Sequence, residues 1–490
     1  MKKAVVIGAG IGGIATSVRL AAKGYAVEVF ESANGPGGKL NNLVLGQYRF
    51  DAGPSLFTMP HLVEELFELV GEKASDSFSY ERLETACHYF YPDGTFFKAY
   101  GERDAFIQEA VNVFGVKPSD LRNYLDHCAQ LLSTSGKIFL EKSLHDPDTW
   151  LSREILPALA YLPKTDLLAS MNRSNERWLK EPHLVQLFNR YATYNGSDPY
   201  QAPGILQQIA ALEQGQGSYF PHGGMYSITT SLVALAERQG VKFHYNQKVD
   251  RILLENGKVT GIRLQGQQDI PADVVVSNMD VVPTYKFLLP EVKISSKTMD
   301  QERSSSALIY YWGIKEKFPE LDVHNIFFSS DYRKEFATIF KKGDIADDPT
   351  VYIHISSKLE KTDSPEYGEN WFVMVNVPHN SGQDWDDLHL RTREIVLKKL
   401  SNRLGRDVEK LIEVEDKLDP VILEKKTYSY KGALYGASSN SRWAAFLRHP
   451  NFKRSVEGLY FVGGSVHPGG GVPLSILSAR ITSHYIPDVR

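Results

Sequence analysis

Lys2-Lys3-Ala4-Val5-Val6-Ile7-Gly8-Ala9-Gly10-Ile11-Gly12-Gly13 opens the chain, and Glu31 follows one strand later. The apolar run Ala4 to Ile7 has the composition of a buried parallel strand. Gly8 permits a tight turn, Gly10 lets the backbone approach a pyrophosphate, and Gly13 lets the next helix pack on the sheet. That helix, from Gly12 to about Lys23, aims its free N–H groups and positive dipole end at phosphates, with Ile11 and Gly12 at its mouth. A second strand, Ala26 to Phe30, delivers Glu31, whose carboxylate can accept both ribose hydroxyl protons. A glycine loop alone is a weak signal. Strand, helix and acid in register make a dinucleotide site.

The dinucleotide is expected to be FAD rather than NAD, first because the ADP-binding unit stands at the start of the chain. Second, Gly35-Pro36-Gly37-Gly38-Lys39 lies just beyond the acid. Consecutive glycines there can wrap a longer cofactor, and Lys39 can neutralise a phosphate. Third, a matching pattern stands near the other end: Gly458-Leu459-Tyr460-Phe461-Val462-Gly463-Gly464-Ser465, then His467-Pro468-Gly469-Gly470-Gly471-Val472-Pro473-Leu474. An apolar strand again runs into glycines and then a helix, roughly Leu474 to Tyr485, with Pro473 suited to its first turn. Its N-terminus can face the pyrimidine end of a flavin and stabilise the anionic reduced ring. Two such loops fit a two-part ligand.

These segments resemble bacterial carotenoid desaturases of the phytoene desaturase type. The likeness rests on the fingerprint, Gly37-Gly38-Lys39, Asp51-Ala52-Gly53-Pro54-Ser55 and the His467 to Pro473 segment. It continues in Tyr191 to Ser197, Tyr219 to Met225 and Ser277-Asn278-Met279-Asp280, and so spans nearly the whole chain. The resemblance implies an α/β fold: a Rossmann-like FAD-binding domain of the glutathione reductase/amine oxidase type, interleaved with an α+β substrate domain. It implies cofactor contacts at Gly8, Gly10, Ile11, Gly12, Gly13, Glu31, Gly38 and Lys39. The loop Gly53, Pro54, Ser55 and Leu56 is implied to face the flavin, the backbone of Val249 to meet the adenine, and Asn278 to lie near the pyrophosphate. Gly464, Ser465, Gly471, Val472 and Pro473 complete the implied set. Many flavoproteins carry Gly-Asp in the second turn, where this chain has Ser465, so a hydroxyl or backbone contact is expected to replace the acid.

Composition fits a single enzyme with large cores: 490 residues with a formal net charge of −4, which gives no electrostatic case for nucleic acid. The only cysteines are Cys87 and Cys128, which suits a reducing cytoplasm and excludes a disulfide scaffold. The start lacks the unbroken apolar run and cleavage site of a signal peptide, and no run reaches membrane-span length. No metal-ligand spacing is found among the histidines.

The expected organisation is a discontinuous FAD-binding domain formed by residues 1–100, 215–290 and 437–490. Residues 101–214 read as a helical part and 291–436 as a mixed-sheet part of the substrate domain. Helices are expected at Ala105 to Phe114, Pro118 to Leu140, Tyr226 to Arg238 and Leu388 to Leu404. Strands are expected at Val249–Glu255 and Lys258–Leu264, hinged at Asn256-Gly257. Strands at Ala307–Ile314, Val351–Ile355 and Trp371–Val377 suit a sheet that roofs a cavity.

The resemblance implies a carotenoid substrate, and likeness in Tyr191–Pro203 and His324–Tyr332 points to the 1-hydroxycarotenoid 3,4-desaturase branch. Phytoene or diapophytoene desaturation, polyene isomerisation and terminal oxygenation remain open on the same scaffold, with a non-catalytic lipid-binding escort more distant. Aromatic clusters at Tyr89-Phe90-Tyr91, Phe96-Phe97, Tyr310-Tyr311-Trp312 and Phe327-Phe328 either line a dry tunnel or pack a core. The apolar stretch Ile155 to Pro163 is either a buried loop or a contact with a bilayer surface. The expected setting is the cytoplasm, peripheral on the inner membrane, with oxygen or a quinone as final electron acceptor. A hydride lost from an allylic carbon leaves a delocalised cation, so strong acid–base machinery is not required. The candidate bases are Glu213 and Asp166, and His222 is expected near the flavin ring.

Overall fold

In this computed structural model, residues 1–153, 155–441 and 447–489 are described. The valines and isoleucine of the strand Lys3–Ile7 are buried on both faces, because parallel neighbours flank it. It lies at the centre of a five-stranded sheet, between Val274–Ser277 and Ala26–Phe30, with Leu459–Phe461 and Lys242–His244 outside them. Every pairing is parallel, so the chain leaves this sheet and returns to it from three distant segments. The helices Ile11–Ala22, Tyr226–Arg238 and Val472–His484 share its largest core. The loops after three strands, at Gly8, Asn278 and Gly463, leave the sheet at the same end. That is where a doubly wound sheet opens its crevice.

A second sheet has seven strands, in the order Ile412–Leu418, Ser306–Ile314, Glu369–Val377, Val351–His354, His324–Phe327, Thr85–Phe90 and Phe96–Tyr100. The last two strands correct the expected boundary at residue 100. They form a hairpin over Gly94, where Asp93 accepts the Thr95 N–H at 2.9 Å, and Thr85–Phe90 then adds in parallel to His324–Phe327. An apolar strand advertises burial but not which sheet buries it, so residues 85–100 belong with the substrate sheet.

The helical part departs from expectation at one place. The periodic run from Pro118 stops as an α-helix at Leu131, passes through a wide turn at Leu132–Gly136, and resumes at Lys137–Glu141. Thr134 and Ser135 donate their hydroxyls back to the carbonyls of Gln130 and Leu131, which bends the helix before Gly136. Asn256 and Gly257 both take positive φ and hinge the expected hairpin.

Candidate active site

One cavity of about 1070 Å³ runs from the glycine loops to the underside of the seven-stranded sheet. Small-molecule pockets usually span roughly 300–1,000 Å³, so this one has room for more than a single compact ligand.

Its first half is a cradle made of backbone. Gly8 has φ of 95°, and Gly37 and Gly463 sit at 113° and 102°, which side-chain-bearing residues rarely adopt. The second glycine loop is laced to the first, with the Gly37 N–H donated to the Ala9 carbonyl at 2.8 Å. Asn278 enters between the loops. A Cβ at Gly10, Gly12 or Gly463 would fall 2.7 Å from its amide, and one at Gly13 would fall 2.1 Å from the Gly8 carbonyl. These glycines therefore answer to Asn278 and to helix packing as well as to a phosphate.

The donors in this cradle fit a dinucleotide. The helix Ile11–Ala22 begins at Gly10 and Val472–His484 at Gly471, and neither has a side-chain cap. Both N-termini line the cavity with first-turn N–H groups that no side chain satisfies. Glu31 stands beside them. Its two oxygens accept the Ala9 and Ala33 N–H groups, each at 2.8 Å, which fixes the carboxylate on the cavity wall with lone pairs left for a ribose. Val249 lies on the wall between Lys248 and Asp250.

Lys39 takes on more than its expected part. Its amine, lowered by burial to about 8, donates to the Leu434 carbonyl at 2.7 Å. It ties the cofactor loop to the substrate domain while the residue stays on the cavity wall with two further N–H donors. Ser465 uses its hydroxyl within the fold, accepting the Val281 N–H at 3.0 Å, and the residue lines the wall. The loop Gly53, Pro54, Ser55 and Leu56 forms the floor next to the second half, and a Cβ at Gly53 would collide with the Lys39 carbonyl.

The second half is made of side chains. Leu418, Ile309, Met374, Tyr352 and Ile326 pair in that order across five neighbouring strands, and all five line the cavity. Strands lie about 4.8 Å apart, so this rung is roughly 19 Å long. Tyr311 and Phe372 continue the same face, and Tyr311 donates to the Ala52 carbonyl at 2.7 Å. Of the aromatic clusters named in the sequence, only Tyr311 reaches the cavity. The others pack: Phe90 stacks on Phe327 at 4.4 Å and Tyr310 on Trp312 at 5.3 Å. Leu132 and Phe139, at the interruption in the helical part, also reach the wall. Sequence reasoning missed the rung, whose only local signal is period-2 alternation within each strand.

The candidate bases are not on the wall. Glu213 is 1% exposed, and its oxygens accept Tyr191 at 2.8 Å, Tyr194 at 2.5 Å and Arg190 at 3.3 Å. Asp166 accepts Ser174 at 2.7 Å and Arg177 at 2.8 Å. His222 is exposed and does not line the cavity; its backbone N–H is donated to the Ser79 carbonyl. Among the described residues no group of histidines, cysteines and carboxylates is arranged to hold a metal ion.

Comparison with known proteins agrees with this geometry. Residues 11–486 match the family of flavin containing amine oxidoreductases. A 1-hydroxycarotenoid 3,4-desaturase from Flavobacterium sp. (strain P99-3) is 50% identical, over 100% of this chain and 99% of that one. A 4,4'-diaponeurosporene oxygenase from Staphylococcus aureus (strain MSSA476) is 32% identical, over 98% and 97%. Among solved structures, an oxidoreductase from Methanosarcina mazei aligns with a TM-score of 0.64 at 17% identity, covering 97% of this chain and 98% of that one. Putrescine oxidase bound to putrescine aligns at 0.63 and 14%, covering 99% and 98%, and both structures speak for the fold alone. The uncapped helix ends, the placed acid and the full-length family match leave one assignment: the chain belongs to the flavin-containing amine oxidoreductases and is an oxidoreductase whose cofactor is FAD.

Proposed function

We propose that the protein desaturates a carotenoid, removing two hydrogens from adjacent carbons of a 1-hydroxycarotenoid to form the 3,4 double bond. The observation that carries this is the junction of two unlike halves in one cavity: a backbone cradle for FAD and an apolar slot under a sheet. The Flavobacterium relative, half identical along its whole length, supports the class of substrate.

Bound FAD supplies the hydride acceptor. The chain's own residues supply position and dryness. Glu31, the glycine loops and the two helix N-termini fix the cofactor, while Ile309, Met374 and Phe372 hold an extended chain and keep water out. Orientation of this kind can account for about 7–11 kcal/mol of a barrier. Because the polyene spreads its own positive charge, no carboxylate need stand at the reacting carbons. Glu213 and Asp166 are accordingly spent elsewhere.

A carotenoid is too insoluble to cross water, so we place the protein peripherally on the cytoplasmic face of the inner membrane, with oxygen or a quinone reoxidising the flavin. The helix Ile155–Tyr161 supports this. Ile155 and Tyr161 turn inward, and the cavity-wall residue Phe139 packs against the clusters of both. Trp150, Leu151 and Leu156 turn outward, 49%, 83% and 64% exposed. The side chains of Leu159 and Leu162 lie outside the described residues. Among the described residues, no helix is long and apolar enough to cross a membrane. Replacing Leu151 and Leu156 with Asp should release the protein from floated liposomes with its flavin content kept, and binding that persists would move the contact elsewhere.

The direct test is anaerobic incubation with acyclic, monocyclic and hydroxylated carotenoids. The expected result is bleaching of the flavin band and a product lighter by two hydrogens. When the same incubations are repeated in air, a product heavier by one oxygen would favour the oxygenase activity for which the Staphylococcus relative is named. Absence of flavin reduction by every carotenoid would overturn the proposal.

A further inference from the structure

The rung of side chains across the roof has one polar member. Tyr352 interrupts Leu418, Ile309, Met374 and Ile326, and its hydroxyl lies 2.8 Å from Ser55 Oγ and 2.8 Å from His324 Nδ1. His324 is 2% exposed, and its Nε2 has no partner. Burial first, then the neighbouring His354 and Arg190, hold its ring well below the usual histidine range, so it is neutral. A second tyrosine, Tyr332, also lines the cavity. Ring contacts with Phe328 at 5.7 Å and Phe336 at 4.9 Å set it in place, and its hydroxyl makes no hydrogen bond within the described residues.

A hydrocarbon ligand gains nothing from these groups. Left unmatched against it, the Tyr332 hydroxyl would cost about 1–3 kcal/mol, whereas the Tyr352 hydroxyl already has Ser55 and His324 and gains only from a ligand that can join their chain. A carboxylate ligand is not favoured either, because Arg190 is already matched. Glu213 lies 3.3 Å from its guanidinium, which sits over the rings of Tyr89, Tyr191 and Tyr194 at 5.4, 4.7 and 5.3 Å. What remains is a neutral group that both donates and accepts. The Ser55–Tyr352–His324 chain can present either polarity at the wall by reversing its protons, and a neutral His324 allows both directions.

We propose that Tyr352, backed by His324 and Ser55 and aided by Tyr332, is a specificity determinant that holds one hydroxyl group of the substrate. The subsite selects hydroxylated over hydrocarbon polyenes. This rests on the carotenoid function proposed above and names what sets its selectivity. Ser55 belongs to the floor beside the cofactor cradle, so a hydroxyl held there brings nearby carbons to the place of reaction. In the reaction for which the Flavobacterium relative is named, the hydroxyl is on carbon 1 and the new bond starts at carbon 3. The two positions are close enough for one anchor to serve.

The test compares kcat/KM for a 1-hydroxycarotenoid with that for the same polyene lacking the hydroxyl. Wild-type protein, Tyr352→Phe and Tyr332→Phe are measured, with flavin content read from the flavin band. Wild-type protein should favour the hydroxylated substrate by about a hundredfold or more. Tyr352→Phe should lower that ratio about tenfold or more, chiefly through KM, and Tyr332→Phe should lower it less. The two variants lie on different elements, and both keep the aromatic ring. A wild-type protein that desaturates both polyenes equally overturns the subsite alone, as does a preference that survives both variants. A wild-type flavoprotein that desaturates neither overturns the carotenoid function and the subsite with it.

Discussion

In the cradle, Gly10, Gly12 and Gly463 crowd the Asn278 amide so closely that a Cβ at any of them would fall 2.7 Å from it. In the roof, Leu418, Ile309, Met374, Tyr352 and Ile326 come from five strands and form a surface only once the sheet has paired. One half is specified by missing side chains, the other by side chains in register. At those three positions the cradle has no room for an added atom, whereas each roof position is a side chain on a strand whose backbone pairing is independent of it. A scaffold of this kind keeps its cofactor while its substrate slot is free to vary.

The sharpest way to break that comparison is at the cradle. Gly13→Ala places a Cβ 2.1 Å from the Gly8 carbonyl, a backbone atom that cannot move without parting helix from strand. The expected result is no soluble flavoprotein. Gly10→Ala collides only with the end of the Asn278 side chain, so it should lose flavin yet recover part of it when combined with Asn278→Ala. Flavin content per folded chain, measured on each glycine variant alone and combined with Asn278→Ala, checks the difference. Equal recovery at Gly13 would mean that side-chain crowding, not helix packing, governs both positions.

How far the two halves could be seen in the sequence follows from the same contrast. The fingerprint at Gly8 to Gly13 and the acid at Glu31 were legible because a turn, a helix start and a strand end are local demands. The Asn278 contacts were not, because they join residues far apart in the chain. Residues 85–100 were expected in the FAD-binding domain; they form a strand pair whose sheet membership is decided by partners at 324–327. Lys39 carried the right charge for a phosphate, and only the fold shows its amine turned to Leu434. The rung was illegible for the plainest reason: five strands each contribute one residue to it.

The next largest effect is expected at the Arg190–Glu213 cluster, of which Arg190 lines the cavity and Glu213 does not. Glu213→Gln keeps the shape and some hydrogen bonding but leaves the buried Arg190 charge without its counter-ion. Removing one partner of a buried pair costs about 3–5 kcal/mol, and Gln should fall toward the lower end. Thermal or denaturant unfolding should show that loss, while the folded fraction still reduces its flavin with substrate. A variant of full stability that cannot reduce flavin would make Glu213 part of the chemistry after all.

Glu31→Ala is expected to be milder for the fold and specific to the cofactor. The variant loses the acceptor of the Ala9 and Ala33 N–H groups together with the ribose contact. Charge-assisted bonds of this kind contribute about 2 kcal/mol or more, and 1.4 kcal/mol corresponds to tenfold in affinity. FAD binding should therefore weaken by about thirtyfold, measured by titration of the apoprotein. An unchanged dissociation constant in that titration would show that the ribose lies elsewhere.

The smallest effect is expected at Asp166, and it separates the two carboxylates that the sequence suggested as bases. Asp166 has a positive φ of 49°, a conformation that Asn adopts at least as readily. Its partner Arg177 is half exposed, with 49% of its side chain accessible, and such pairs contribute about 0.2–1 kcal/mol. Asn still accepts one hydrogen bond, and the Asp166 carbonyl keeps the Ala169 and Gly204 N–H groups whatever the side chain. Asp166→Asn should therefore unfold within about 1 kcal/mol of wild type, bind FAD fully and turn over within about twofold. General acid–base catalysis contributes about a hundred- to ten-thousand-fold, so the two outcomes do not overlap. A hundredfold loss of substrate-driven flavin reduction, with FAD and carotenoid both bound, would bring this surface turn into the reaction and require a proton path from the cavity that its bonds to Ser174 and Arg177 now close.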